Sequence, residues 1–97
     1  MKPVRLAALA QDDLREARDW YEAQASGLGH RFVHSVDVVL AEIAENPRRY
    51  QVVDADIRRA FVRPFPYGVF FREMPGVIRV IAVAHLHRHP QAWERRR

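Results

Sequence analysis

The chain has 97 residues, of which 48% are hydrophobic, and it contains no cysteine. This length predicts one compact domain over residues 1–97 with a modest core, and the absence of thiols excludes disulfides and thiolate metal sites. No apolar run is long enough to span a membrane and the first residues lack the apolar stretch of a secretory signal, so we expect a cytoplasmic protein with no membrane partner.

Charge is distributed unevenly along the chain. Residues 1–48 hold 6 basic and 8 acidic side chains, a net charge of −2, whereas residues 49–97 hold 10 basic and 4 acidic ones, a net charge of +6. All basic residues except Lys2 are arginines, which contact phosphate and carboxylate in a bidentate manner. The second half therefore indicates an anionic partner, either nucleic acid or an acidic protein segment, and the alternative is an ordinary solvated surface.

The first half predicts a short strand and two helices. Val4, Leu6 and Ala8 alternate with the intervening residues as a strand does, and Asp12 and Asp13 are predicted in the first turn of a helix, where carboxylates favour the free N–H groups. The inward positions of this helix are Ala10, Leu14, Ala17 and Tyr21, with Trp20 on the flank.

A second helix follows the break at residues 26–29. Its apolar residues recur at helical spacing up to Asn46-Pro47, where a helix is expected to end: Leu28, Phe32, Val36, Val39 and Ile43. Two helices with so short a connection predict an antiparallel helical hairpin.

The second half predicts four strands joined by short turns, namely Tyr50–Val53, Ile57–Arg63, Val69–Arg72 and Val77–His85. They form a mainly antiparallel four-stranded meander. The complete order predicts an α+β fold with an N-terminal strand, a helical hairpin on one face of the sheet, and the other face free for a partner.

The end of the last strand carries three histidines at positions 85, 87 and 89. Strict alternation would place Arg79, Ile81, Val83, His85 and His87 on one face of the sheet. His-x-His on a strand can chelate a metal, but no carboxylate accompanies His85 and His87, and the pair at positions 30 and 34 lies opposite the apolar stripe of its helix. We therefore predict no metal and no cofactor.

These histidines suggest a second chemistry. Metal-free RNA cleavage needs a base, an acid and cations for the developing charge on phosphorus, and His85, His87 and Arg58 are the candidate catalytic residues. Arg59, Arg79 and Arg88 are candidates for binding the target or another anion. The alternative for His85 is a half-buried strand residue bonded to a backbone carbonyl.

Two aromatic residues among the arginines are further candidates for target binding. Tyr67 and Trp93 could stack on bases beside the cations, although Tyr67 is also suited to core or turn packing. Trp93 belongs to a tail that is interpreted either as a half-turn of helix docked on the sheet or as a mobile anion-binding arm.

Several motifs, in order and over nearly the whole chain, resemble the RelE/ParE family of type II toxins. They are Asp13-Leu14-x-Glu16-Ala17-x-x-x-Tyr21, Gly27-Leu28-Gly29-x-Arg31-Phe32, Asn46-Pro47, Ile57-Arg58-Arg59, Phe65-Pro66-Tyr67, Val80-Ile81-Ala82-Val83-Ala84-His85 and Arg88-x-Pro90-x-x-Trp93. The resemblance implies a toxin held inactive by a cognate antitoxin in a hetero-oligomer. A partly acidic antitoxin segment that folds on binding would complement the basic second half.

The family includes poisons of DNA gyrase and nucleases that cut messenger RNA on the ribosome. In this chain Leu86 occupies the place of the late arginine in RelE, with Arg88 two positions on, and Lys2 is the only lysine. The resemblance therefore favours a ParE-like gyrase inhibitor. The alternatives are a RelE-like mRNA endoribonuclease and a non-toxic member that only binds its antitoxin. We expect antitoxin and target to compete for the sheet face that bears Arg58, Arg59, Arg79, Arg88 and Trp93.

Overall fold

A sheet of five strands is covered on one face by two helices in a computed structural model that describes residues 1–97. The elements are β1 (Val4–Leu6), α1 (Ala8–Gln24), α2 (Leu28–Glu45), β2 (Gln51–Asp54), β3 (Ile57–Val62), β4 (Tyr67–Met74) and β5 (Val77–His85). Short 3-10 helices cover Pro47–Arg49 and Ala92–Arg96. The predicted α+β fold, helical hairpin and meander are confirmed, and neither α-helix combines the length and apolarity that crossing a membrane requires.

The strand order is β1-β5-β4-β3-β2. β1 runs parallel to β5 and all other neighbours are antiparallel. We call the side that carries the helices the helix face and the other side the open face. β1 is short, so it pairs only with the start of β5 and leaves the edge of β5 after Val80 without a strand partner.

The start of α1 differs from the prediction. Ala7 has an extended conformation and its N–H donates to the Val80 carbonyl at 2.9 Å, so the helix begins at Ala8, immediately after β1. Ala8 is therefore helical, and Asp12 and Asp13 lie beyond the first turn, which contains no acidic residue. The predicted dipole role of the two carboxylates is wrong because strand pairing, not an acidic cap, sets the start of the helix.

The turn between the helices depends on two glycines. Gly27 has a φ of 86°, in the left-handed region that glycine adopts without strain. A Cβ on Gly29 would lie 2.6 Å from the Arg18 carbonyl oxygen, so only glycine permits the close approach of α2 to α1. The Glu22 carboxylate accepts the N–H groups of both glycines, and these hydrogen bonds lower the pKa of Glu22.

The core has two parts, one on each face of the sheet. The larger lies under the helices and includes Phe32, Val36, Ile43, Phe71 and Val80. The smaller lies on the open face and consists of Ile57, Phe70, Ile81, Ala82, Ala84 and Trp93. The expectation of an uncovered second face is therefore wrong in part, because the C-terminal 3-10 helix covers this smaller cluster.

Strand β5 contains a β-bulge at Ile81. Phe70 pairs with Ala82 and Phe71 pairs with Val80, which leaves Ile81 as an extra residue. Ile81 and Ala82 both face the open side, and Val83 returns to the helix face. Strict alternation therefore fails along β5.

Candidate functional site

A cleft of about 390 Å³ lies between α1, the end of β5 and the C-terminal segment. We call it the His85 cleft. Its lining includes Glu16, Trp20, Tyr67, His85, Arg88, His89 and Arg96, with Asp13 at its floor. The bulge creates this arrangement, because it turns the end of β5 so that His85 shares the helix face with Val83 and its partner Tyr67.

His85 accepts hydrogen bonds at the end of its strand. Its Nδ1 accepts the backbone N–H groups of His87 and Arg88, each at 3.1 Å. The proton of the neutral ring therefore lies on Nε2. Burial lowers the pKa of His85, and the charge of Arg88 and the other two histidines lower it further. The expected bond to a backbone carbonyl is wrong, since the ring accepts rather than donates.

Tyr67, Arg88 and Trp20 complete the wall of the cleft. The rings of Tyr67 and His85 meet edge to face, with centroids 5.2 Å apart. The Arg88 guanidinium lies 5.3 Å from the centroid of the Trp20 ring, a cation–π contact that holds a charge beside an exposed aromatic face. Burial raises the pKa of Tyr67, so its hydroxyl remains a hydrogen-bond donor at neutral pH. The cleft thus offers donors and a cation to an anionic or polar group.

Asp13 and Arg96 close the floor of the cleft. The Asp13 carboxylate accepts the backbone N–H of Val83 at 3.0 Å and forms a bidentate ion pair with Arg96, whose Nη2 lies 3.1 Å from Oδ1. Arg96 also donates to the Ile81 carbonyl at 3.3 Å. These bonds provide hydrogen-bond partners for the Val83 N–H and the Ile81 carbonyl, on the edge of β5 that β1 does not reach. They also fasten the C-terminal segment to α1.

Arg58 lies away from this cleft. Its partner Phe71 belongs to the core of the helix face, so Arg58 shares that face. The guanidinium donates to the carbonyls of Tyr50 at 2.7 Å and Arg48 at 3.2 Å, and it thereby fastens the segment before β2. The expectation that Arg58 joins Arg59 on the exposed sheet face is wrong, because adjacent residues of a strand point to opposite sides.

Arg59 and Arg79 lie on the open face. The Arg59 Nη2 donates to Gln51 Oε1 at 3.2 Å, and the Arg59 guanidinium carbon lies 4.6 Å from the centroid of the Phe61 ring. Arg79 is exposed. The expected grouping of Arg79 with His85 on one face is wrong, because the bulge at Ile81 lies between them. The arginines predicted on one sheet surface therefore lie on two: Arg58 is on the helix face, and Arg59 and Arg79 are on the open face.

Trp93 is buried, with 7% of its surface exposed. Its ring stacks on Phe70 with centroids 5.9 Å apart, and its Nε1–H donates to the Pro90 carbonyl at 3.2 Å. The docked half-turn of helix is the correct interpretation of the tail. Trp93 is consequently a packing residue of the open face, and little of its ring is available to stack on a base.

His87 is exposed beside the cleft, and His89, which is also exposed, belongs to its lining. The ring centroid of His87 lies 5.8 Å from that of His85. No group of three or more metal-ligating side chains comes together anywhere in the structure.

Sequence reasoning missed three residues of the cleft. The sequence places Trp20 only on the flank of its helix, although tryptophan is a residue type enriched among the residues that contribute most to interfaces. No local sequence pattern indicates that Asp13 and Arg96 form an ion pair, because the two residues are 83 positions apart and meet only in the folded chain.

The fold resembles those of solved type II toxins. The structure described as the chromosomal ParDE system from P. aeruginosa matches with a TM-score of 0.76 and 14% identity, over 88% of this chain and 96% of that one. A mutant of the E. coli toxin RelE in the free state matches with a TM-score of 0.69 and 15% identity, over 98% of this chain and 92% of that one. The fold is therefore that of the ParE and RelE toxins.

Sequence comparison distinguishes between these two groups of toxins. The family model described as ParE toxin of type II toxin–antitoxin system, parDE, matches residues 4–90. Toxin ParE2 of Mycobacterium tuberculosis is 31% identical over 85 residues, which cover 87% of this chain and 81% of that protein. The chain belongs to the ParE toxin family of type II toxin–antitoxin systems. Membership implies a cognate antitoxin as partner and confirms the resemblance seen in the sequence motifs.

Proposed function

We propose that the protein is a growth-inhibiting toxin that acts on DNA gyrase by binding and that a cognate antitoxin neutralises it in a hetero-oligomer. The observation that carries the choice is that Arg58, one of the three residues predicted to carry out metal-free RNA cleavage, lies away from His85. His85 has its Nδ1 occupied by two backbone N–H groups, and Arg58 is bonded to backbone carbonyls in another part of the molecule.

The separation of these groups follows from the strand register. Arg58 pairs with Phe71, and His85 pairs with Tyr67, four residues away along β4. Four residues of a strand span about 13 Å, too far for both side chains to contact one phosphate. In addition, a base needs a free nitrogen that can accept a proton, and Nδ1 of His85 would lose two hydrogen bonds on protonation.

The His85 cleft instead suits recognition of a protein surface. Tyr67, Trp20 and Arg88 are residue types that contribute most to binding at protein interfaces, because they combine large contact area with hydrogen bonding. Trp20 is 46% exposed, so part of its ring is available to a partner. We therefore assign gyrase binding to the cleft, with Arg88 and Tyr67 as contact residues.

The test is a supercoiling assay with purified gyrase. We expect the purified protein to inhibit supercoiling or to trap cleaved DNA at stoichiometric amounts. The double variant Trp20→Ala/Arg88→Ala should lose at least about tenfold in potency, since it removes a central aromatic and a cation from the interface. The matched control Leu9→Ala/Arg31→Ala changes an exposed apolar residue and an exposed arginine outside the cleft. No inhibition at stoichiometric excess would overturn the proposal.

The second candidate is a RelE-like mRNA endoribonuclease. One observation favours it: Tyr67, His85 and Arg88 share a cleft that could hold a phosphate. This candidate predicts site-specific cuts in translated messages that disappear on substitution of His85, His87 and Arg58 by alanine. Full toxicity of that triple variant, with translated messages intact, would eliminate it. If the protein inhibits neither process but binds its antitoxin, it is the non-toxic member of the family.

A further inference from the structure

We propose that three arginines on the open face, Arg5, Arg79 and Arg72, bind an acidic helix of a protein partner through its carboxylates. We call them the arginine row. This site is separate from the His85 cleft, and the inference holds whether the toxin acts on gyrase or on the ribosome.

The row follows from the register of three neighbouring strands. Arg5 of β1 pairs with Arg79 of β5, and Arg79 pairs with Arg72 of β4. The residues on either side of Arg79 belong to the core of the helix face, so Arg79 and its two partners project from the open face. Adjacent strands lie about 4.8 Å apart, so the backbone positions of the three arginines form a line across the sheet.

Such a line is costly for the isolated protein. Like charges directly opposite each other on neighbouring strands destabilise a sheet. Arg5 and Arg79 are exposed and take part in none of the ion pairs of the structure. Arg72 has one partner, Asp56, which its Nη2 contacts at 2.8 Å. The row therefore has more donors than the chain satisfies.

The spacing of the row favours an acidic helix. Carboxylates at i and i+4, or i and i+3, on one face of a helix have Cβ atoms about 5–6 Å apart, close to the spacing between strands. Arginine pairs with carboxylates in a bidentate manner, so a helix that crosses the strands can place one carboxylate on each guanidinium.

One feature disfavours nucleic acid at this site. Single-stranded nucleic acid is bound by aromatic residues beside the cations, but Trp93 is buried and Phe61 lies at the far end of β3, packed between Arg59 and Arg63.

The experiment measures binding of the full chain to a synthetic helical peptide with three glutamates on one face at i, i+4 and i+7. A peptide with glutamine at those positions is the control ligand, and single-stranded and duplex DNA oligonucleotides are the competing ligands. The variant is Arg5→Gln/Arg79→Gln. Its matched control, Arg15→Gln/Arg31→Gln, removes the same charge from the exposed surface of the helices.

We expect the glutamate peptide to bind the wild type, and the row variant to bind about tenfold more weakly while the control variant is unchanged. The Arg79→Glu variant should prefer a peptide with lysine at the same three positions, which shows that the loss is not a failure to fold. Equal loss in the control variant, no binding of the glutamate peptide, or tighter and row-dependent binding of DNA would each overturn the proposal. No outcome involves gyrase, so the result is independent of the proposed target.

Discussion

The helix face and the open face are built on the same five strands but differ in what covers them. On the helix face, two long helices bury large apolar residues such as Phe32 and Phe71 completely. On the open face, a single 3-10 helix covers a smaller cluster, and arginines occupy the remaining surface. The difference indicates that the helix face provides most of the stability and leaves the open face available for binding.

The largest expected effect tests this division directly. Phe71 is fully buried on the helix face, so Phe71→Ala should lower the free energy of unfolding by about 3–5 kcal/mol through lost transfer energy and a cavity. Phe61→Ala changes a ring on the open face that is 43% exposed, and should cost less than about 1 kcal/mol. Urea unfolding measures the loss for each variant. Similar losses would show that packing of Phe71 under the helices does not contribute the expected stability.

A smaller loss of stability is expected on substitution of Asp13, which joins α1 to β5 and to the C-terminal segment. Asp13→Ala removes the acceptor of the Val83 N–H and the partner of Arg96, and should cost about 1–3 kcal/mol because these groups are largely buried. The adjacent Asp12 pairs with Arg15 on the exposed surface, so Asp12→Ala should cost less than about 1 kcal/mol. Thermal unfolding distinguishes the two. Equal costs would mean that the C-terminal segment is not fastened through Asp13.

The smallest effect concerns the pH dependence of the His85 cleft. The pKa of His85 is lowered in the folded state, chiefly by burial, so the unfolded chain takes up its proton first as the pH falls. The contribution of neutral His85 to stability is therefore complete above about pH 6.5 and is lost progressively below it.

We expect the free energy of unfolding to fall between pH 7 and pH 5, and to fall less steeply in the His85→Gln variant. At pH 8 the imidazole is neutral in both states, so the two proteins are compared there first. An equally steep fall in the variant would show that other groups cause the pH dependence.

Hydrophobic periodicity predicted the helices and strands well where packing is regular. The apolar stripe of α2 from Leu28 to Ile43 faces the core as expected, since helical spacing alone decides which side is buried. Alternation failed at Ile81 because a bulge depends on pairing with β4, which sequence spacing does not reveal.

The candidate site was predicted less well, because its residues meet through tertiary contacts. Their charge groups Arg58 with Arg59 in the sequence. In the structure Arg58 instead donates hydrogen bonds to the backbone carbonyls of Arg48 and Tyr50. Trp93 follows a proline in a segment without periodicity, so only its stacking on Phe70 shows that it is buried. The sequence singles out His85, but the tautomer of its ring depends on the turn that follows it.

The extra residue at Ile81 also has a consequence for how the family can diversify. Residues before the bulge, such as Arg79, serve the open face, while His85 after it serves the cleft on the opposite side. A substitution of Arg79 therefore changes the open face, and a substitution of His85 changes the cleft, although both residues belong to β5. The two ends of one strand can thus accumulate substitutions separately.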